Sequence, residues 1–169
     1  FMVFAVTLFS CANKEKGSVR LDNGNNIEII INDSVYQQLE LNRNLALKNG
    51  VIDKSLKKYF RATINYKNKE TPVKLRLKGD WIDHLKGEKW SFRIKVTGDN
   101  SFLGLKSFSI QSPHTRSFLH EWFMHQVYLR EGVLTTRYEF VPIMINGKTM
   151  GIYALEEHFD KQLVEAKGR

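Results

Sequence analysis

Three segments in the middle of the chain alternate apolar and polar residues with period two, and this commits them to strands with one apolar and one polar face. Phe60, Ala62, Ile64 and Tyr66 alternate with Arg61, Thr63 and Asn65. Val73, Leu75 and Leu77 alternate with Lys74, Arg76 and Lys78, and Trp90, Phe92, Ile94 and Val96 alternate with Ser91, Arg93 and Lys95. Asn68-Lys69-Glu70-Thr71 reads as the hairpin between the first two, and Gly79 to Glu88 as a longer loop before the third. Ile27 to Ile31 and Ser107 to Gln111 read as further strands. Asn146-Gly147 lies between the apolar runs 138–145 and 149–155, the strongest short hairpin signal.

Helices are expected at three places. Asp33 caps one running to about Lys48, with Gly50 just past its end. Ser112-Pro113 starts a second that reaches about Glu131, with Phe118, Leu119, Trp122, Phe123 and Val127 as a core-facing stripe. A third covers about His158 to Ala166. The expected fold class is therefore α+β, an antiparallel sheet with packed helices in one domain, which suits 169 residues.

The ends of the chain read differently. Phe1 to Phe9 is almost continuously apolar but shorter than the roughly 20 residues a spanning helix needs. With Leu8-Phe9-Ser10-Cys11 it resembles a bacterial lipoprotein signal and lipobox over 1–11, with Cys11 as the lipidated residue. Residues 12–26 form a polar tether. This places the protein in the bacterial cell envelope, exported and anchored to the membrane through Cys11. The start at Phe1 and the end at Arg169 suggest a fragment.

A formal charge of +8 admits anionic partners without naming one. Lys74, Arg76 and Lys78 share a face with Arg93 and Lys95 if their strands pair with apolar sides matched. That face is either solvated or an anion site roofed by the loop from Lys78-Gly79 to His84. His120, Glu121 and His125 do not make a zinc motif, because histidines five apart diverge by about 140° on a helix. Aromatic residues fall on the apolar faces, away from the cations, which argues against a nucleic-acid stacking platform.

Leu75-Arg76-Leu77-Lys78-Gly79-Asp80, Lys89-Trp90-Ser91-Phe92-Arg93-Ile94-Lys95 and Tyr138 to Glu157 together resemble the CotH family of atypical protein kinases. The most specific stretch is Asn146-Gly147, Gly151-Ile152-Tyr153 and Glu156-Glu157. The resemblance implies a protein-kinase-like small lobe over 73–169, truncated at its C-terminus, with 27–72 as an N-terminal extension. It implies ATP with Mg²⁺ or Mn²⁺ in the full-length protein and transfer of phosphate to protein Ser or Thr. No catalytic residue or metal ligand is assigned within this chain, because a kinase takes its base and metal-binding Asp from the large lobe.

The nucleotide-binding residues implied are Lys78, Gly79, Arg93, Lys95, Glu121, Glu156 and Glu157. Either Lys95 or Arg93 contacts phosphate, Glu121 is a possible ion-pair partner of the strand lysine, and Leu155 to Glu157 form a hinge beside the adenine. Lys78-Gly79-Asp80-Trp81-Ile82 departs from the family's usual Arg-Gly-Asn-Ser-Ser, and Asp80 adds a negative charge near the phosphate position. The alternative is a non-catalytic surface lipoprotein acting as a binding or assembly module.

Overall fold

The structure is a computed structural model that describes residues 26–166. The expected Cys11 anchor and most of the tether lie outside the described residues.

Seven strands form one closed barrel: β1 (Ile27–Ile30), β2 (Phe60–Tyr66), β3 (Lys69–Leu77), β4 (Phe92–Val96), β5 (Ser107–Gln111), β6 (Tyr138–Ile145) and β7 (Lys148–Glu157). Their order around the barrel is β1-β2-β3-β4-β5-β7-β6, and β6 returns to β1. Every neighbouring pair is antiparallel except the closing one, where Ile27, Glu28 and Ile29 run parallel to Ile143, Met144 and Ile145. This overturns the expected α+β, kinase-like small lobe with packed helices. The sheet buries its apolar face by curling onto itself, so helices are not needed to cover it.

The alternation read from sequence decides what lies inside. Ile29, Ile64, Leu75, Leu77, Phe92, Ile94, Phe108, Ile110 and Leu155 are buried in one core. β1 and β2, from the stretch before residue 73, are staves of the same barrel. α1 (Asp33–Asn49) adds Leu39 and Ala46 to the core. Its cap is Asn32, whose side chain accepts from the Ser34 N–H, and Gly50 closes the helix in the left-handed region at φ 76°.

The second helix differs most from expectation. Pro113–Arg116 is a short 3₁₀ turn, Ser117 and Phe118 take left-handed φ of 50° and 57°, and α2 (His120–Arg130) starts only after them. Two consecutive residues in that region break a helix. Phe118, Leu119, Trp122 and Phe123 are exposed, not a core stripe, and α2 buries His125 instead. The last helix is also shorter, α3 (Lys161–Ala166), starting three residues later than expected. The first hairpin turns at Lys67 and Asn68, one residue earlier than the polar tract suggested, with φ of 51° and 59°.

Asn146 does more than turn a hairpin. Its Oδ1 accepts from the Ile31 N–H at 2.7 Å, its Nδ2 donates to the Ile31 carbonyl at 2.8 Å, and its own N–H reaches the Ile29 carbonyl at 3.1 Å. Asn also tolerates the left-handed φ of 48° found there. We expect Asn146→Ala to destabilise the fold by about 2 kcal/mol in urea denaturation, the scale of two lost part-buried hydrogen bonds. A loss below about 0.5 kcal/mol would show that the seam does not need the carboxamide.

Candidate functional site: a cationic cavity on the outer face

β3 leaves the barrel at Lys78, one residue past Leu77, and the chain turns at Gly79 with φ 106°. A Cβ on Gly79 would lie 2.7 Å from the His84 ring, so only glycine fits this turn without displacing the histidine. His84 is buried, with Nδ1 3.2 Å from the Ser91 hydroxyl, and it anchors the loop against β4.

This loop walls a cavity of about 500 Å³ on the outer face of β3, β4, β5 and β7. Lys78, Gly79, Arg93, Glu156 and Glu157, all expected from sequence, line it together. The strand register explains the gathering: Arg76 pairs with Arg93, Arg93 with Ser109, and Ser109 with Glu156.

At its centre Lys78 Nζ lies 2.6 Å from Glu156 Oε2 and 2.6 Å from Gln111 Oε1, while Gln111 Nε2 donates to the same carboxylate at 3.1 Å. Burial lowers the Lys78 pKa, and the neighbouring Glu156 offsets only part of that effect. Burial pushes the Glu156 carboxyl up, but Lys78, by charge and hydrogen bond, and Arg116 more than reverse it, so its pKa lies below the ordinary value. The depressed Glu156 pKa keeps its carboxylate ionised at neutral pH.

The lining holds the cations Arg76, Lys78, Arg93 and Arg116 and the carboxylates Asp80, Asp83, Glu156 and Glu157. The numbers are equal, but several of the acids already have partners, whereas Arg93 has no carboxylate partner among the described residues. Asp80 pairs with Lys57, which lowers its pKa, so the negative charge that the loop sequence placed near the phosphate position is offset locally. Glu157 accepts from the Arg137 backbone N–H, and Glu156 holds Lys78. Among the described residues Arg93 Nε is buried without a hydrogen-bond partner, a donor that an anion in the cavity would satisfy.

His158 forms the floor beside this pair. Its Nδ1 bonds the Ser107 hydroxyl and its Nε2 lies 2.8 Å from the Ser109 hydroxyl. Burial, then Arg93 and Lys78, press its pKa down to about 4, so the ring is neutral at physiological pH.

A family model described as CotH kinase protein matches residues 75–169, more than half of the chain. The chain belongs to the CotH kinase protein family. No curated protein matched it. The match begins inside β3, so the CotH stretch contains all of β4 to β7, and β1 and β2 complete the barrel from outside it.

Within this CotH protein the other expected residues are dispersed. Lys95 does not line the cavity; it lies one row along the sheet, with Nζ 5.2 Å from the Tyr59 ring centroid. Arg93 is the one of the two candidates that faces the cavity. Glu121 is on α2, with Oε1 3.6 Å from His125 Nε2, and it makes no ion pair with a strand lysine. Glu156 pairs instead with Lys78, just past the end of β3. Leu155, Glu156 and Glu157, expected as a hinge, lie within the strand ladder. They are the end of β7, where Leu155 and Glu156 are flanked by both β5 and β6, so their backbone groups serve the ladder.

Sequence reasoning missed Arg116, His158 and Ser109 as cavity residues and Gln111 as a partner of Lys78. Ser107, Ser109 and Gln111 carried a signal, since they are the polar positions of an alternating strand. Arg116 carried none; it comes from the 3₁₀ turn Pro113–Arg116 that stands where the helix was expected to start.

The pH dependence follows from the shifts. His158 has a folded pKa below its unfolded value of 6.5, so its contribution to stability is complete above about pH 6.5 and is lost as pH falls toward 4. His84, also lowered, adds to the same loss. Glu156 is depressed as well, and its contribution is lost only below its ordinary value of 4.5. We expect His158→Gln to flatten part of the decline in Tm between pH 6.5 and 4 while leaving the decline below 4.5 in place. An unchanged slope between 6.5 and 4 would show that His158 is not held neutral by its site.

Proposed function

We propose that this chain is the nucleotide-binding part of a CotH protein kinase and that the cavity beside Lys78 takes the phosphates of ATP. The observation that carries this reading is the buried Lys78–Glu156 pair, set between Arg93, whose Nε lacks a partner, and Arg116. A lysine held by a carboxylate is pre-positioned, so an incoming phosphate meets an oriented ammonium at little cost in side-chain entropy. Arg93 and Arg116 offer planar donors for phosphate oxygens. Trp81 and Phe159, both exposed, stand among the lining residues and offer flat apolar surfaces to the base.

Among the described residues no cluster of three or more His, Cys, Asp or Glu side chains is arranged to hold a metal ion. On this reading the described residues supply phosphate and base contacts, and the Mg²⁺ or Mn²⁺ that accompanies ATP shields phosphate charge. Phosphate transfer to a protein Ser or Thr belongs to the full-length protein.

Melting scans with Mg-ATP test the proposal. Nucleotide at one hundred times its dissociation constant adds about 2.7 kcal/mol to stability, a readable rise in Tm. Arg93→Gln and Lys78→Met are expected to abolish most of that rise, whereas Lys95→Gln, outside the cavity, retains it. A rise lost in Lys95→Gln and kept in Arg93→Gln would reverse the assignment. No rise in the parent chain would remove ATP from this cavity.

The envelope location is proposed on sequence alone, from the apolar run to Phe9 and the Leu8-Phe9-Ser10-Cys11 segment. Cells fed radiolabelled palmitate are expected to label the protein, and Cys11→Ser is expected to remove the label. Labelling that survives the substitution would place the lipid elsewhere.

A further inference from the structure

The outer face of β1 to β4 is striped, and one stripe has no part in the nucleotide cavity. Register places Arg61 opposite Lys74 and Lys74 opposite Lys95, three cations in one row across β2, β3 and β4. Like charges directly opposite one another in a sheet destabilise it. None of the three forms an ion pair among the described residues. Lys95 Nζ sits over the face of Tyr59.

The next row is Ile30, Thr63 and Pro72, and beyond it come Glu28, Asn65 and Glu70. Arg61 and Lys74 of the cationic row line a groove of about 740 Å³ together with Ile30 and Pro72, and Lys95 continues the row just beyond it. A fold that tolerates such a row gains from an anion laid along it.

The geometry points to a docking groove for an extended acidic peptide segment, with carboxylates on Arg61, Lys74 and Lys95 and apolar side chains on Ile30 and Pro72. The shape and the striping favour a peptide over an anionic membrane. Same-face rows are about 7 Å apart, so Glu28 and Glu70 stand only about 13 Å from the cations. A flat anionic surface pressed on this face meets those carboxylates as well, whereas one strand can follow the cationic row alone. The cationic row is also one step from Arg76 and Arg93, so a bound segment runs beside the cavity. Docking itself requires no nucleotide.

Fluorescence anisotropy with a short fluorescein-labelled peptide rich in glutamate and valine, measured without nucleotide at low salt, tests this. Binding is expected, weakening as salt rises, and the Arg61→Gln, Lys74→Gln, Lys95→Gln triple variant is expected to bind about tenfold more weakly or worse. Its Tm is expected to stay level or rise, because like-charge contacts are removed. Should the triple variant fold poorly, Lys74→Gln alone is expected to show a smaller loss of binding with no fall in Tm. Equal affinity in the variants, or no binding by the parent chain, would overturn the proposal. So would tight binding to phosphatidylglycerol vesicles that the peptide does not compete away. The Lys78→Met variant is expected to keep the peptide and lose ATP, which separates failure of this proposal from failure of the nucleotide reading.

Discussion

The Asn146 carboxamide bonds both backbone groups of Ile31 and so ties the end of β1 to the β6–β7 turn. Through that seam the sheet closes and has no free edge. Closure then sorts every strand residue to the inside or the outside. Inside, Leu75, Leu77, Phe92, Ile94, Phe108 and Ile110 fill the core. Outside, the partners in the same alternation become a continuous polar surface, and register alone brings Arg76, Arg93, Ser109 and Glu156 side by side. The cavity is thus a consequence of closing a sheet whose polar face is unevenly charged.

Charge on that face is distributed by local pairing rather than by total count. Glu156 and Gln111 hold Lys78, and Lys57 holds Asp80. Arg93 and the Arg61–Lys74–Lys95 row are left without carboxylates among the described residues. Breaking the buried Lys78–Glu156 pair from one side would cost more than the pair itself contributes, because a desolvated charge would lose its partner. That asymmetry favours a fixed lysine, which an incoming phosphate can use without reorganising the site.

Much of the sheet was legible in the sequence because period-two alternation reports directly which side chains share a face. The placement of Lys74, Arg76, Lys78, Arg93 and Lys95 together follows from it. Closure was not legible, because β1 pairs in parallel with a strand more than a hundred residues away, and the carboxamide that ties Ile31 beside that seam is one that local pattern assigns only to a turn. The second helix misled for a related reason. Phe118, Leu119, Trp122 and Phe123 have helical spacing, but the left-handed Ser117 and Phe118 interrupt the helix, and a closed barrel has no open apolar face left for the stripe to cover. Of the site, Lys78, Gly79, Arg93, Glu156 and Glu157 converge, while Lys95 and Glu121 fall one row and one helix away.

The central claim is that the triphosphate sits on the outer face at the Lys78–Glu156 pair. A crystal structure of the protein with Mg²⁺ and a non-hydrolysable ATP analogue tests it most directly. The account predicts phosphate oxygens within hydrogen-bond distance of Lys78 Nζ and the Arg93 guanidinium. Phosphates bound on the Arg61–Lys74–Lys95 row, or away from both, would contradict it.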